Sequence, residues 1–345
     1  MLKKDTIQSI SPYFGKKDIV IVAILNWGLG HATRCIPIIH FLKSTCKKVI
    51  IASDGEALQL LRLEFPKLRA FELPTYGIKY HRESILTNIL WQGAKIKKAV
   101  KHEQIAIEAL AKKIKATIIL SDNRMGCLSS ITKNYYMTHQ VNIVHQWTWI
   151  SWIGSKTHQY FIKKFDLCFV PDYYGSDAIC PRLSQNHTLK LVHIGPITRI
   201  THMRLYPKYD ICVVLSGPEP QRTVLEDRLF ELLSRLDQYI ILFIRGTQVQ
   251  HTSIFTPKNI EVKNILCTED MEIAFNSSKL LIARSGYSTI MDIESLDIKA
   301  ILIPTPGQSE QEYLAKTLDK NEKYSILEQM NLNNLQKIIY SMIKF

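Results

Sequence analysis

Short blocks of consecutive apolar and β-branched residues alternate along the chain with longer stretches whose apolar positions recur at helical spacing. Asp18-Ile-Val-Ile-Val-Ala-Ile-Leu25 reads as a buried strand, followed by a Gly-rich turn and a helix from about His31 to Lys43. Lys48–Ser53 is a second strand, and Asp54 is placed to cap the helix after it. Leu68–Leu73, Ala116–Leu120, Val141–His145, Leu167–Val170 and Leu189–Ile194 read as further strands, with a long amphipathic helix between Ser84 and Lys115. From Gly195 to Tyr209 no period is strong, which marks a linker. The alternation then restarts with strands at Asp210–Leu215, Tyr239–Ile244, Glu261–Ile265, Lys279–Ala283 and Ala300–Pro304. Helices are predicted at Arg222–Arg235 and from Glu269, Ser288 and Ser309. Such alternation implies parallel sheets with right-handed crossovers. The expected fold class is α/β, with two Rossmann-like domains, 1–199 and 200–345, and a cleft between them. The last helical stretch, Leu332–Ile343, is free in this reading to pack back on the N-terminal domain.

Composition narrows the function classes. The chain has 345 residues, 46% hydrophobic and 22% charged, which is globular and long enough for two cores. Its apolar runs are too short to span a bilayer, and the N-terminus lacks a signal-peptide pattern, so a cytoplasmic protein is expected. The seven cysteines are scattered and form no C-x-x-C pair, and the eleven histidines show no H-E-x-x-H spacing. Neither a disulfide framework, nor a metal site, nor a cofactor is expected. A net charge of +13 favours nucleic acid, anionic membrane or phosphorylated ligands, or is simply a solvated basic surface. No nucleic-acid-binding motif accompanies it, and nucleic acid is not expected as a partner.

In open α/β sheets ligands gather at the carboxyl ends of strands, which directs attention to the loops there. The first is Asn26-Trp-Gly-Leu-Gly-His-Ala-Thr-Arg34, where Gly28 and Gly30 allow close approach of backbone and ligand. His31 falls at a helix start suited to an anion or oxyanion, with Arg34 one turn on. The same residues also read as a helix cap and an ion pair. Ser121-Asp122-Asn-Arg124 follows the fourth strand and offers a carboxylate and a guanidinium near His31, or a loop salt bridge. Further along, Ser285 and Gly286 run into Tyr287-Ser288-Thr289-Ile-Met-Asp292. Gly286 and the N–H groups after it suit a diphosphate, and Asp292 suits the hydroxyls of a ribose. Gln308, Gln311 and Glu312 are candidates for sugar hydroxyls. Ser216-Gly217 with Arg222, and Arg245-Gly-Thr247, are candidates for phosphate.

Together these motifs resemble the GT-B glycosyltransferases of the family 28 type, which include the enzyme that adds N-acetylglucosamine to the lipid-linked peptidoglycan precursor. The likeness is best from Glu269-Asp-Met through Arg284-Ser-Gly-Tyr-Ser-Thr-Ile-Met-Asp292 to Gln311. It implies a UDP-sugar donor, with Ser285, Gly286 and Thr289 on the diphosphate and Asp292 replacing the usual Glu on the ribose. It also places Gln311 and Glu312 on the sugar, and the backbone of Cys267 and Thr268 on the uracil. Departures occur at the glycine-poor first loop and at Ala315, where the family has Asn. Gly-Leu-Gly-His-Ala-Thr-Arg-Cys35 is also similar to the first motif of nucleotide-sugar hydrolases of nonulosonic acid biosynthesis.

The expected reaction is a single inverting displacement at the anomeric carbon of a UDP-sugar by an unidentified acceptor. His31, with Asp122, would act as base, and Arg222 or Arg245 would stabilise the leaving diphosphate without a metal. Hydrolysis at the same donor site and a non-catalytic nucleotide-sugar-binding module are the alternatives. Long inserts between Tyr76 and Lys115 and between Gln146 and Phe165 favour transfer. The second, Trp147 to Lys164, mixes aromatics with lysines and suits an anionic membrane surface at the inner face of the cell membrane, or a buried helix.

Overall fold

Ile19–Ile24 (β1) shows why these strands lack polar alternation. Val20, Val22 and Ile24 enter one core with Ile36, Ile39, Leu58 and Leu61, whereas Ile21 and Ala23 enter another with Ile107 and Ala111. A strand covered on both faces has no solvent side to mark with polar residues. A computed structural model describes residues 4–76, 93–247, 257–296 and 298–343. The chain divides into two compact units, Met1–Arg199 and Ile200–Phe345.

In the first unit, β1 is joined by Lys48–Ser53 (β2), Ala70–Glu72 (β3), Ile118–Asp122 (β4), Lys133–Met137 (β5), Leu167–Val170 (β6) and Leu191–His193 (β7). The order is β3-β2-β1-β4-β5-β6-β7, and every pairing is parallel. Helices Leu29–Thr45 and Gly55–Glu64 pack on one face, and Gly93–Ile114 supplies the other. The part of the long predicted helix before Gly93 lies outside the described residues.

One sequence expectation is corrected here. Lys133–Met137, not Val141–His145, is the strand after β4. Residues 143–145 instead run beside helix Thr148–Ile162, where the Ser155 hydroxyl accepts from the Ile143 N–H at 2.9 Å and Ser151 accepts from the His145 N–H at 2.8 Å. Serine side chains thus satisfy the backbone that a strand ladder would have used.

The second unit holds Tyr209–Val214 (β8), Ile241–Ile244 (β9), Ile260–Lys263 (β10), Ser278–Ala283 (β11), Lys299–Leu302 (β12) and Tyr324–Ile326 (β13), the last unforeseen. Their order is β10-β9-β8-β11-β12-β13, again all parallel. The final helix, Leu335–Ile343, packs within the second unit. Leu335, Ile339 and Met342 join the core of the second unit beside Leu229 and Ile282. Among the described residues no helix is long and apolar enough to cross a membrane.

Candidate functional site

The strand order reverses direction between β1 and β4, and their register pairs Ile24 with Asp122. The loops leaving these two strands therefore open at one point, where ligands of such sheets bind. Gly28, at φ +88°, makes the turn into helix Leu29–Thr45, which starts two residues before the expected His31. Gly30 and His31 then lie in its first turn, and Arg34 follows on the same face.

Asp122 draws these residues together. Its carboxylate is fully buried, receives both Nε–H, at 3.0 Å, and Nη2–H of Arg34, and accepts from the Cys35 thiol at 3.4 Å. His31 Nδ1 lies 3.2 Å from Asp122 Oδ2 and 2.8 Å from Arg34 Nη2. In the tautomer that donates Nδ1–H to Asp122, Nε2 carries a lone pair; in the other, Nδ1 accepts from Arg34. Arg34 Nη1 also reaches Nδ1 of buried His139 at 2.8 Å.

The protonation of the group follows from this packing. Burial pulls the His31 pKa below its ordinary value and the Arg34 cation adds to that, against the opposing pull of Asp122. Burial opposes the charge on Asp122, yet Arg34 and His31 beside it hold its carboxyl well below the usual range. The result is an imidazole kept neutral next to a carboxylate kept ionised.

Arg124 is not part of this group, contrary to expectation. It is fully buried against Glu103 and Asp54, and donates to the Pro74 carbonyl at 2.7 Å. The Tyr76 hydroxyl and the Gly126 N–H complete the shell of Glu103, at 2.8 and 2.7 Å. This second cluster ties the β2, β4 and Gly93–Ile114 segments together. His139, missed from sequence, lies two residues past β5. Assigning the strand to 141–145 hid it from a search of strand ends.

In the second unit the reversal falls between β8 and β11. Ser216 and Gly217 leave β8, with Gly217 at φ +109°, and lead into helix Gln221–Leu233. Ser285 and Gly286 leave β11, and Gly286 caps helix Tyr287–Glu294, whose first turn carries Ser288 and Thr289. Asp292 lies one turn further along, half-buried. Cys267 caps helix Thr268–Asn276 after β10, its thiol bonded to Asp270 at 3.2 Å.

Several candidate side chains serve the loops themselves. The Ser285 hydroxyl donates to the Gln311 carbonyl at 2.9 Å, and Gln311 Oε1 accepts from the Thr305 N–H at 2.9 Å. Glu312 accepts from the Gly307 N–H at 2.9 Å. These bonds shape the rim and engage the Ser285 hydroxyl. Arg222 and Arg245, the phosphate candidates, are engaged by carboxylates. Both are buried on the carboxylate of Glu226, with Glu219 also on Arg222 and Asn264 also on Arg245. They brace the loop after β9, where Gly246 has φ +68° and a Cβ would sit 2.1 Å from the Leu215 carbonyl oxygen. Among the described residues no group of three or more His, Cys, Asp or Glu side chains is placed to hold a metal ion.

Comparison with known proteins bears on this arrangement. Residues 213–345 match the glycosyltransferase family 28 C-terminal domain. An uncharacterized glycosyltransferase of Methanosarcina acetivorans is 22% identical over 325 residues, covering 87% of this chain and 83% of that protein. Among solved structures, MurG of Acinetobacter baumannii superposes with a TM-score of 0.54 at 13% identity, over 95% of this chain and 91% of that one. The spinosyn rhamnosyltransferase SpnG complexed with thymidine diphosphate gives a TM-score of 0.55 at 12% identity, over 95% and 92%. The fold of the two units is thus that of the GT-B enzymes.

Proposed function

We propose that the chain is a glycosyltransferase of the GT-B, family 28 type that transfers a sugar from a UDP-sugar to an acceptor hydroxyl with inversion and without a metal. The observation that carries the reading is the neutral His31 held on ionised Asp122 at the reversal point of the first sheet. With Nδ1–H donated to Asp122, His31 Nε2 takes the acceptor proton while the acceptor oxygen bonds to the anomeric carbon. The bond from that carbon to the β-phosphate oxygen breaks, and UDP leaves with the electron pair. A base of this kind contributes roughly 10²–10⁴-fold.

Donor binding belongs to the second unit. The Gly217 turn and the N-terminal turn of helix Tyr287–Glu294, with Ser288 and Thr289, take the diphosphate through backbone N–H groups. Asp292 takes the ribose, and the turn at Cys267 and Thr268 takes the uracil. Gln311 and Glu312 hold the rim against the sugar. A thymidine diphosphate in SpnG supports a pyrimidine nucleoside diphosphate here.

The acceptor is lipid-linked in this reading. Trp147, Trp149, Trp152 and Tyr160 are 49–64% exposed, and Lys156, Lys163 and Lys164 share their helix or its end. No acidic residue interrupts residues 147–164, so the patch is both aromatic and cationic, as an anionic lipid surface requires. Co-flotation with vesicles containing anionic lipid is expected for the wild type. Trp149→Ser with Trp152→Ser should lower it severalfold without altering UDP affinity; equal flotation would refute the membrane role.

Hydrolysis is the second reading, because a neutral imidazole on a carboxylate activates water as readily as a hydroxyl. A panel of UDP-sugars separates the two. Nucleotide release that depends on added lipid extract supports transfer, and release in buffer alone supports hydrolysis.

A further inference from the structure

Six arginines are buried among the described residues, and five of them meet a carboxylate. Arg34 has Asp122, Arg124 has Glu103 and Asp54, Arg199 has Glu64, and Arg222 and Arg245 share Glu226. Arg284 is the exception. It follows β11 directly before Ser285, is 1% exposed, and has no carboxylate partner among the described residues. Its guanidinium donates only to carbonyl oxygens, of Gln221 at 2.9 Å and of Ile303 and Pro304 at 3.3 Å each, and its Nε has no partner. Burial alone draws its pKa down to about 10, with no neighbouring charge in support.

Two more buried polar atoms on the same rim lack partners. Thr305 Oγ1 lies just past β12, 3.6 Å from where a Cβ on Gly217 would stand, and Gln329 Oε1 lies just past β13. Gln329 is tied through its amide to the Gln221 side chain at 2.8 Å. The carboxyl ends of β11, β12 and β13 thus share a buried cation and unmatched polar groups. An uncompensated buried charge costs several kcal/mol, a cost that a ligand of opposite sign would offset.

We propose that Arg284 is a positioning residue for the donor, whose uncompensated charge is completed by the diphosphate of a nucleotide bound at the N-terminal turn of helix Tyr287–Glu294. The inference rests on the donor reading above. Its charge acts across one loop in a low-dielectric setting, where screening is weak. Its bonds to the carbonyls at 221, 303 and 304 also hold together the three loops that surround the site. Arg222 and Arg245, already balanced by Glu219 and Glu226, do not fill this role.

The test uses the full chain as wild type, Arg284→Met and Arg284→Lys, titrated separately with UDP by calorimetry and with uridine by ligand-observed NMR. Removing the charge should weaken UDP binding about tenfold or more while leaving uridine affinity unchanged. The Lys variant should keep UDP affinity within a few-fold. UDP affinity unchanged in Arg284→Met, or an equal loss for UDP and uridine, overturns the proposal. If the Met variant does not fold, Arg284→Gln, which keeps an N–H donor for the carbonyls at 221, 303 and 304, replaces it with the same ratio read; failure of both neutral variants to fold would leave Arg284 a structural residue alone and overturns the proposal. Wild type that binds neither UDP nor uridine refutes the donor reading itself, whereas wild-type binding shared by Arg284→Met removes only the role of Arg284.

Discussion

Asp122 and His31 have separable duties. Asp122→Asn would leave Arg34 buried with its charge unmatched, and breaking such a pair costs about 3–5 kcal/mol. His31→Ala leaves the Arg34–Asp122 pair intact. Thermal melting should therefore fall markedly for Asp122→Asn and little for His31→Ala, while both lose turnover; equal melting of the two variants would remove the structural role given to Asp122. The pH profile follows from the same packing. His31 works as a base only when neutral, and burial with Arg34 lowers its pKa below the ordinary 6.5. The kcat/KM profile should accordingly stay level above that pH and fall only on the acid side of it. Folding stability obeys the same sign. With the folded pKa below the unfolded one, the unfolded chain binds more protons as pH falls through 6.5, so acid favours unfolding. An acid limb displaced to the alkaline side of 6.5, measured in wild type, would contradict the environment assigned to His31.

Elements differ in how openly the sequence declares them. Strands such as β1 and β11, buried on both faces, are visible as unbroken apolar runs. Lys133-Asn-Tyr-Tyr-Met137 and Tyr324-Ser-Ile326 are not, because polar residues at the edges of short strands break the run. Val141–His145 carries the strand composition without the ladder, since Ser151 and Ser155 satisfy its backbone from the neighbouring helix. Ser151→Ala with Ser155→Ala should cost about 1–3 kcal/mol for each buried N–H left unmatched, read by denaturant unfolding. A change within a few tenths of a kcal/mol would show that water replaces the hydroxyls. The site shows the same division. Glycines, His31 and Asp122 are legible from strand-to-helix turns. The fates of Arg124, Arg222 and Arg245 are not, because their carboxylate partners at 54, 103 and 226 lie on other segments or another helical turn. Arg284 is legible in retrospect as an arginine closing an apolar strand, yet its isolation from carboxylates requires the fold.

At the scale of the whole molecule, each unit is an all-parallel sheet with one reversal of strand order, and the candidate chemistry lies at both reversals. In the proposed reading the first would accept a proton and the second would bind phosphate, a division of labour that a group-transfer enzyme needs. The net charge of +13 would find two uses within that proposal, a cationic aromatic helix toward an anionic surface and the buried Arg284 guanidinium toward an anionic donor. The family 28 match lies over the second unit, where the donor reading is anchored. The most direct test of the central claim is UDP release from a panel of UDP-sugars, with lipid extract as acceptor source, by wild type and His31→Ala, alongside UDP affinity for both. The account predicts equal UDP affinity and a turnover roughly 10²–10⁴-fold lower in the variant. Wild type that binds no UDP, or a His31→Ala variant that turns over at the wild-type rate, would contradict it.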